Sequence, residues 1–383
     1  MMHPARRRLA RVTVLLVVMA VWFATMAGVA QARIVARRVV GGLQQAVGFT
    51  FDGRGRIWFV QKSVGDIRVV DPDSGHQWRF FRVHDVSAEG EQGLVGIALD
   101  PGFPQQPFVY VFATRIVDGQ LVDQILRIEN VDGRGRHPRV IYSSGASSSH
   151  IHSGGRILFG PDGMLYAAVG DAGVSSNAQS ASSTRGKILR MTPNGHVPAG
   201  NPSGSLVWVS GIRNSFGFAF DPVSLKPWET ENGPECNDEV NRLRAGGNFG
   251  WGPSETCGGT APQNTNQDGP SPIQPQLWYT PTIAPTGLAF CDGCRLGPHS
   301  DGAFFFGSYN TGDIRRVVLT ADRLSVASES VVANAADIAL SMEVGPDGRI
   351  YFSSYIAIFR LVKVKGRAMD PPRVRCATRC DAR

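Results

Sequence analysis

The chain has 383 residues, 42% of them hydrophobic and 19% charged, which is enough apolar material for a large core and excludes an intrinsically disordered chain. Its 45 Gly and 24 Pro show no Gly-X-Y period and no low-complexity block, which excludes collagen and linker classes. Arg6, Arg7, Arg8 and Arg11 precede an almost wholly apolar run from Val12 to Val29, and Ala30-Gln31-Ala32 offers a small-x-small cleavage pattern. We read residues 1–32 as a secretory signal peptide; the rival reading is an uncleaved membrane anchor, since the run approaches the roughly 18 to 20 residues that span a bilayer. Without the four leader arginines the formal charge of +7 falls to about +3, with the remaining cations scattered, so nothing points to nucleic acid. A mature chain with no further membrane span is expected to be secreted or periplasmic.

Along residues 33–365 one pattern recurs: Asp, or Pro-Asp, then Gly, then a β-rich run. It reads Asp52-Gly53-Arg54-Gly55-Arg56-Ile57-Trp58-Phe59-Val60, Pro161-Asp162-Gly163-Met164-Leu165-Tyr166, and Pro346-Asp347-Gly348-Arg349-Ile350-Tyr351-Phe352. Weaker copies start at Asp100-Pro101, Asp221-Pro222 and Asp301-Gly302, and the six copies lie roughly 45 to 80 residues apart. Asp-Gly turns feeding short strands are hairpin signals, and their regular repetition predicts an all-β, six-bladed β-propeller whose inter-strand loops are in places long. Ligands of such folds bind at one mouth of the central channel, so functional residues should be dispersed among the loops.

The six cysteines, at 236, 257, 291, 294, 376 and 380, are even in number in a chain read as exported, so disulfides are the default. Fifteen connectivities are possible; grouping along the chain suggests Cys236–Cys257, Cys291–Cys294 and Cys376–Cys380. Zinc at Cys291-x-x-Cys294 would need two more ligands, and only His299 is near. Residues 366–383 form a basic tail with Arg367, Arg373, Arg375, Arg379 and Arg383, read as a solvated terminus.

Three segments offer chemistry. His150-Ile151-His152-Ser153-Gly154-Gly155-Arg156 places a histidine in a Ser/Gly-rich loop, where imidazole can serve as general base; a structural loop histidine and a His-x-His metal pair are the other readings. Arg213-Asn214 offers a charged fork beside an amide, suited to polarising a carbonyl oxygen. Glu231-Asn232-Gly233-Pro234-Glu235-Cys236-Asn237-Asp238-Glu239 gathers hard oxygen donors of the kind calcium takes, without EF-hand spacing; a polar loop pinned by Cys236 is an equal reading.

With Glu91-Gln92-Gly93-Leu94-Val95-Gly96-Ile97-Ala98 and Pro281-Thr282-Ile283-Ala284-Pro285-Thr286-Gly287, these segments resemble, in order over roughly residues 40 to 363, the soluble pyrroloquinoline quinone (PQQ) dependent glucose/sorbosone dehydrogenase family. The resemblance implies that His152 is the general base toward the sugar C1 hydroxyl and that Arg213 and Asn214 contact the quinone oxygens. It implies further that the carbonyls of Gly233 and Pro234 hold a calcium ion beside PQQ and that Glu239 lies near a structural calcium. Thr282 would line the cofactor, and Glu91 stands where the glucose enzymes have a glutamine. The implied function is an exported quinoprotein oxidising an aldose at its anomeric carbon, with a small-molecule sugar as partner and an unnamed electron acceptor. Departures support a second function, a non-catalytic propeller serving as a binding protein. Asn310 occupies the position of a cofactor-binding lysine, Ile338 and Leu340 those of two arginines, and Thr280 that of a covering tryptophan. Arg315, Arg316 or another cation would have to substitute.

Overall fold

The computed structural model describes residues 32–147, 149–335 and 337–365. The leader (1–31), the tail (366–383) and the Cys376–Cys380 pairing lie outside the described residues. The body, Val35–Val362, forms one unit. Its first strand, β1 (Arg33–Gly41), comes before the blades. Blade 1 is β2 (Ala46–Phe51), β3 (Ile57–Gln61), β4 (Asp66–Val70) and β5 (Gln77–Arg82). Blade 2 is β6 (Leu94–Leu99), β7 (Phe108–Val117), β8 (Gln120–Val131) and β9 (Arg134–Ser143), and blade 3 is β10 (Ile157–Phe159), β11 (Leu165–Val169), β12 (Lys187–Met191) and β13 (Val207–Ser210). Blade 4 holds β14 (Ser215–Phe220), β15 (Pro227–Glu231), β16 (Asp238–Arg242) and β17 (Leu277–Tyr279), and blade 5 holds β18 (Pro285–Phe290), β19 (Phe304–Ser308), β20 (Asp313–Leu319) and β21 (Val326–Asn334). Blade 6 is β22 (Met342–Val344), β23 (Ile350–Ser353) and β24 (Ala357–Val364), with β1 added as its outermost strand. The expected six-bladed, all-β propeller is therefore the fold, and pairing the first strand with the last blade closes the ring without leaving an open seam.

All six Asp signals fall in the same place, the turn between the first and second strand of a blade. The reason is a local hydrogen-bond code. Oδ1 of Asp52, Asp100, Asp162 and Asp347 accepts a backbone N–H two residues on, from Arg54, Gly102, Met164 and Arg349. Oδ2 accepts the polar tip of an aromatic residue on the second strand: Trp58 Nε1 at 2.9 Å, Tyr110 at 3.4 Å, Tyr166 at 2.9 Å and Tyr351 at 3.0 Å. One carboxylate thus tightens the turn and satisfies a buried aromatic side chain. Blade 4 keeps the turn bond, from Val223 N–H, but Asp221 pairs with Arg323 and Trp228 Nε1 has no partner among the described residues; in blade 5 Asp301 accepts the Gly293 N–H instead.

The aliphatic and aromatic residues of the runs fill layers between neighbouring blades, as with Trp58, Val60, Ile97 and Val111, or Trp228, Leu288, Phe304 and Phe306. At the channel the innermost strands approach so closely that a Cβ on Gly48, Gly96 or Gly217 would fall onto the carbonyl oxygen of Val95, Gly155 or Thr286 on the next blade. The register slips one residue before these glycines, between Ala46 and Gly48, Leu94 and Gly96, and Ser215 and Gly217. Such bulges re-aim a side chain, and the bulged residues Val47, Val95 and Phe216 all turn into the channel mouth. Disulfides join Cys236 to Cys257 and Cys291 to Cys294, as the grouping suggested; the latter uses both sulfurs that zinc would need. Among the described residues no helix is long and apolar enough to cross a membrane.

Candidate active site

A cavity of about 370 Å³ opens where all six innermost strands begin. Its apolar wall comes from Val47, Val95, Phe216 and Leu340, and its polar groups include Lys62, Glu91, Arg156, Asn232, Tyr309 and Tyr355. Beneath it Arg156 of blade 3 crosses the channel to blade 6, donating to Ser341 Oγ at 3.0 Å and pairing with Glu343. Glu343 in turn lines a second cavity, at the far ends of the innermost strands β2, β6 and β10. The ion pair therefore forms the floor between the two cavities, and burial raises the Glu343 pKa despite the arginine.

His152 stands in the loop before β10, 7% exposed, with φ at +56°, a left-handed conformation that costs a non-glycine residue free energy. Two contacts hold it there. Its backbone N–H donates to Glu91 Oε2 at 2.8 Å, and its ring Nδ1 lies 2.7 Å from Asp171 Oδ1. With Nδ1–H donated to that carboxylate, Nε2 is left as the basic nitrogen, and no described residue bonds to it. The other oxygen of Asp171 accepts Trp251 Nε1 at 2.8 Å, and its backbone N–H donates to the Arg213 carbonyl at 2.8 Å. Asp171 and Trp251 were not legible as site residues: each is an ordinary loop residue in sequence, and only the fold brings them to His152.

Glu91 Oε2 also accepts Asn214 Nδ2 at 2.9 Å, while Asn214 Oδ1 accepts the N–H of Gly154 at 3.2 Å. One carboxylate oxygen thus couples His152 and Asn214 across three loops. Arg213, in the loop between β13 and β14, donates from Nη1 to Asn232 O at 2.7 Å and lies 5.3 Å from the centre of the Trp251 ring. Burial lowers the Arg213 pKa, partly offset by Asp171, Glu231 and Glu91. Its Nε is buried without a partner among the described residues. Of the sequence-predicted residues, Glu91 lines the cavity itself; His152, Asn214 and Arg213 form the wall behind Glu91, Gly154 and Asn232.

Gly233 and Pro234 follow Asn232 directly. Asp238 fixes their turn, accepting the Gly233 N–H at 2.8 Å through Oδ1 and the Ala284 N–H at 2.7 Å through Oδ2. Neither carbonyl oxygen accepts a hydrogen bond from a described residue. Two half-buried, unbonded carbonyl oxygens are hard donors that fit calcium, and a mostly apolar cavity with a few convergent polar groups fits a flat aromatic cofactor. Among the described residues no cluster of three His, Cys, Asp or Glu side chains is arranged to hold a metal. Glu239 lies inside blade 4, facing Glu231 across the β15–β16 pair, while Glu229 faces Asn241. All three glutamates are buried, and burial pushes Glu229 up to about 7, Glu239 up to about 8 and Glu231 well above the carboxylate range. Three carboxyls this close cannot all ionise, so the cluster holds protons.

Thr282 is half-buried outside the cavity lining, its carbonyl accepting Asn310 Nδ2 at 3.2 Å. Thr280 is engaged with Asn237 through its hydroxyl. Leu340 does line the cavity, presenting a hydrocarbon where a cation was expected. The stand-ins considered from sequence fail: Arg315 is bound to Glu329 at 2.9 Å and Asp313 at 3.3 Å, Arg316 to Ser330 at 3.3 Å, and neither lines the cavity.

A six-bladed propeller whose channel mouth holds a cavity, with a carboxylate-held histidine in the wall behind its lining, defines the class of protein. The family profile described as Glucose / Sorbosone dehydrogenase matches residues 43–356, and the chain belongs to that family of oxidoreductases. It is 30% identical over 354 residues to uncharacterized protein slr1608 of Synechocystis sp. (strain ATCC 27184 / PCC 6803 / Kazusa), covering 84% of each chain. It is 26% identical to aldose sugar dehydrogenase YliI of Escherichia coli (strain K12), covering 79% of this chain and 85% of that one. The PQQ-bound form of aldose sugar dehydrogenase from Streptomyces coelicolor superposes with a TM-score of 0.74 at 26% identity, covering 88% of this chain and 99% of that one.

Proposed function

We propose that the chain is an exported, PQQ- and calcium-dependent dehydrogenase that oxidises an aldose at its anomeric carbon. The observation that supports this best is His152 held by Asp171 with Nε2 unbonded beside the cavity. PQQ, when bound, supplies a carbon that accepts hydride, and calcium on the Gly233 and Pro234 carbonyls supplies a Lewis acid toward a quinone oxygen. The chain does the rest. His152 Nε2 takes the proton of the C1 hydroxyl as hydride leaves the same carbon, and the Asp171 carboxylate stabilises the imidazolium that results. Glu91 keeps the His152 backbone and the Asn214 amide in fixed relation, so that no reorganisation is needed during the reaction. Arg213 brings a positive charge, held against Trp251, to the side where negative charge develops.

The test is reconstitution of the metal-stripped protein with PQQ and calcium, followed by aldose oxidation with a dye as acceptor. Calcium-dependent turnover that His152→Ala lowers by about 10²- to 10⁴-fold supports the reading. Turnover unchanged by that substitution shows that His152 is not the base, and absence of PQQ binding leaves a non-catalytic propeller.

A further inference from the structure

Blade 6 lies across the ring from the His152 loop, and with blades 5 and 1 it contributes Leu340, Ser341, Tyr355, Tyr309 and Lys62 to the cavity. Lys62 follows β3. Its Nζ donates to Ala88 O at 2.8 Å and Gly90 O at 2.9 Å, which uses two of three hydrogens. No described carboxylate lies within ion-pair distance of it, whereas Arg156, the other cation lining the cavity, is neutralised by Glu343. Burial lowers the Lys62 pKa, and the field of Glu91 partly restores it. Tyr309 is 43% exposed, and its hydroxyl faces that of Tyr355, which burial and this neighbour push up to about 12. The Tyr355 phenol therefore keeps its proton at neutral pH.

We infer that Lys62, assisted by the hydroxyls of Tyr309 and Tyr355, is the anion anchor of this cavity, receiving a carboxylate of the cofactor on the side where Asn310, Ile338 and Leu340 offer no charge. The inference rests on the reading of the cavity as a PQQ site. Its chemistry is that of a spare ammonium hydrogen and the free O–H of the Tyr309–Tyr355 pair meeting a carboxylate.

The experiment measures dissociation constants for PQQ and for its trimethyl ester, with calcium present, by quenching of tryptophan fluorescence in the wild type, Lys62→Met, Lys62→Arg, Tyr309→Phe and Tyr355→Phe proteins. Lys62→Met should bind PQQ about 10- to 100-fold more weakly and the ester equally well, because the ester lacks the charge that Lys62 meets. Lys62→Arg should restore most of the loss, and each Tyr→Phe change should cost about two- to tenfold on PQQ alone. Equal PQQ affinity in Lys62→Met overturns the anchor. So does equal loss of PQQ and ester, which would reduce Lys62 to a brace for the 88–91 loop. A wild type that binds no PQQ defeats the proposed function and the anchor together, whereas a wild type that binds PQQ and is indifferent to Lys62→Met defeats the anchor alone. Thermal unfolding of each variant separates loss of binding from loss of fold.

Discussion

On the side of the channel mouth built by blades 2, 3 and 4, each charged group meets another fixed group: His152 meets Asp171, Asp171 meets Trp251, Arg213 meets Asn232, and Glu91 meets both His152 and Asn214. On the side built by blades 5, 6 and 1 the wall is Leu340, Ser341, two phenols and one ammonium. The first side is preorganised for a proton transfer, since its dipoles and charges are in place before substrate arrives. The second is suited to recognition and depends on what enters. On the function proposed above, reactivity and ligand capture are separable within one cavity, and the uncharged Asn310, Ile338 and Leu340 would weaken capture while leaving the His152–Asp171 pair whole.

The contrast can be broken most sharply at His152. His152→Ala should lower kcat by about 10²- to 10⁴-fold in the reconstituted enzyme while the PQQ dissociation constant, read by fluorescence, stays within a few-fold. A comparable loss in PQQ affinity would mean that the two sides are not separable. Asp171→Asn should slow turnover by about 10- to 100-fold with little change in the sugar KM, because the imidazolium loses a charge-assisted bond; an unchanged kcat would remove Asp171 from the mechanism. On the opposite wall, Leu340→Arg should tighten PQQ about tenfold or more and leave the sugar KM alone, and a titration showing no gain would place Leu340 out of reach of the ligand's carboxylates.

The smallest effect concerns the support behind the first side. Lys187 is buried and donates to the carbonyls of Asn177, Ala178 and Arg185, while Asn177 Nδ2 donates to the Asp171 carbonyl. Burial pushes Lys187 down to about 8 from an ordinary 10.5. The unfolded chain therefore binds more protons than the folded one between those values, and stability from this group rises with pH across that window, by an amount on the order of 1 to 3 kcal/mol. Chemical denaturation of the wild type from pH 8 to 10 should show this slope, and Lys187→Met should flatten it; an equal slope in both proteins would assign the dependence elsewhere.

What the sequence by itself determined are features whose partners lie close along the chain. The Asp turns were legible because in four of the six blades the carboxylate binds a backbone N–H two residues on and an aromatic residue four to ten residues on, and the six turns led directly to six blades. The Cys236–Cys257 and Cys291–Cys294 bridges followed from grouping for the same reason. His152, Arg213, Asn214, Gly233 and Pro234 could be nominated by motif, but not what holds them. The tertiary structure alone decided that Glu91 reaches His152 and Asn214, 61 and 123 residues away, and that Asp171 and Trp251, 80 residues apart, complete the pair. It alone decided that Arg156 meets Glu343 across 187 residues, that Arg315 is committed to blade 5, and that Lys62 from blade 1 stands at the cavity. The physical reason is that a propeller gathers the starts of six innermost strands around one axis: contacts within a blade are local in sequence, whereas contacts across the channel join residues whose separation is set only by how many blades lie between them.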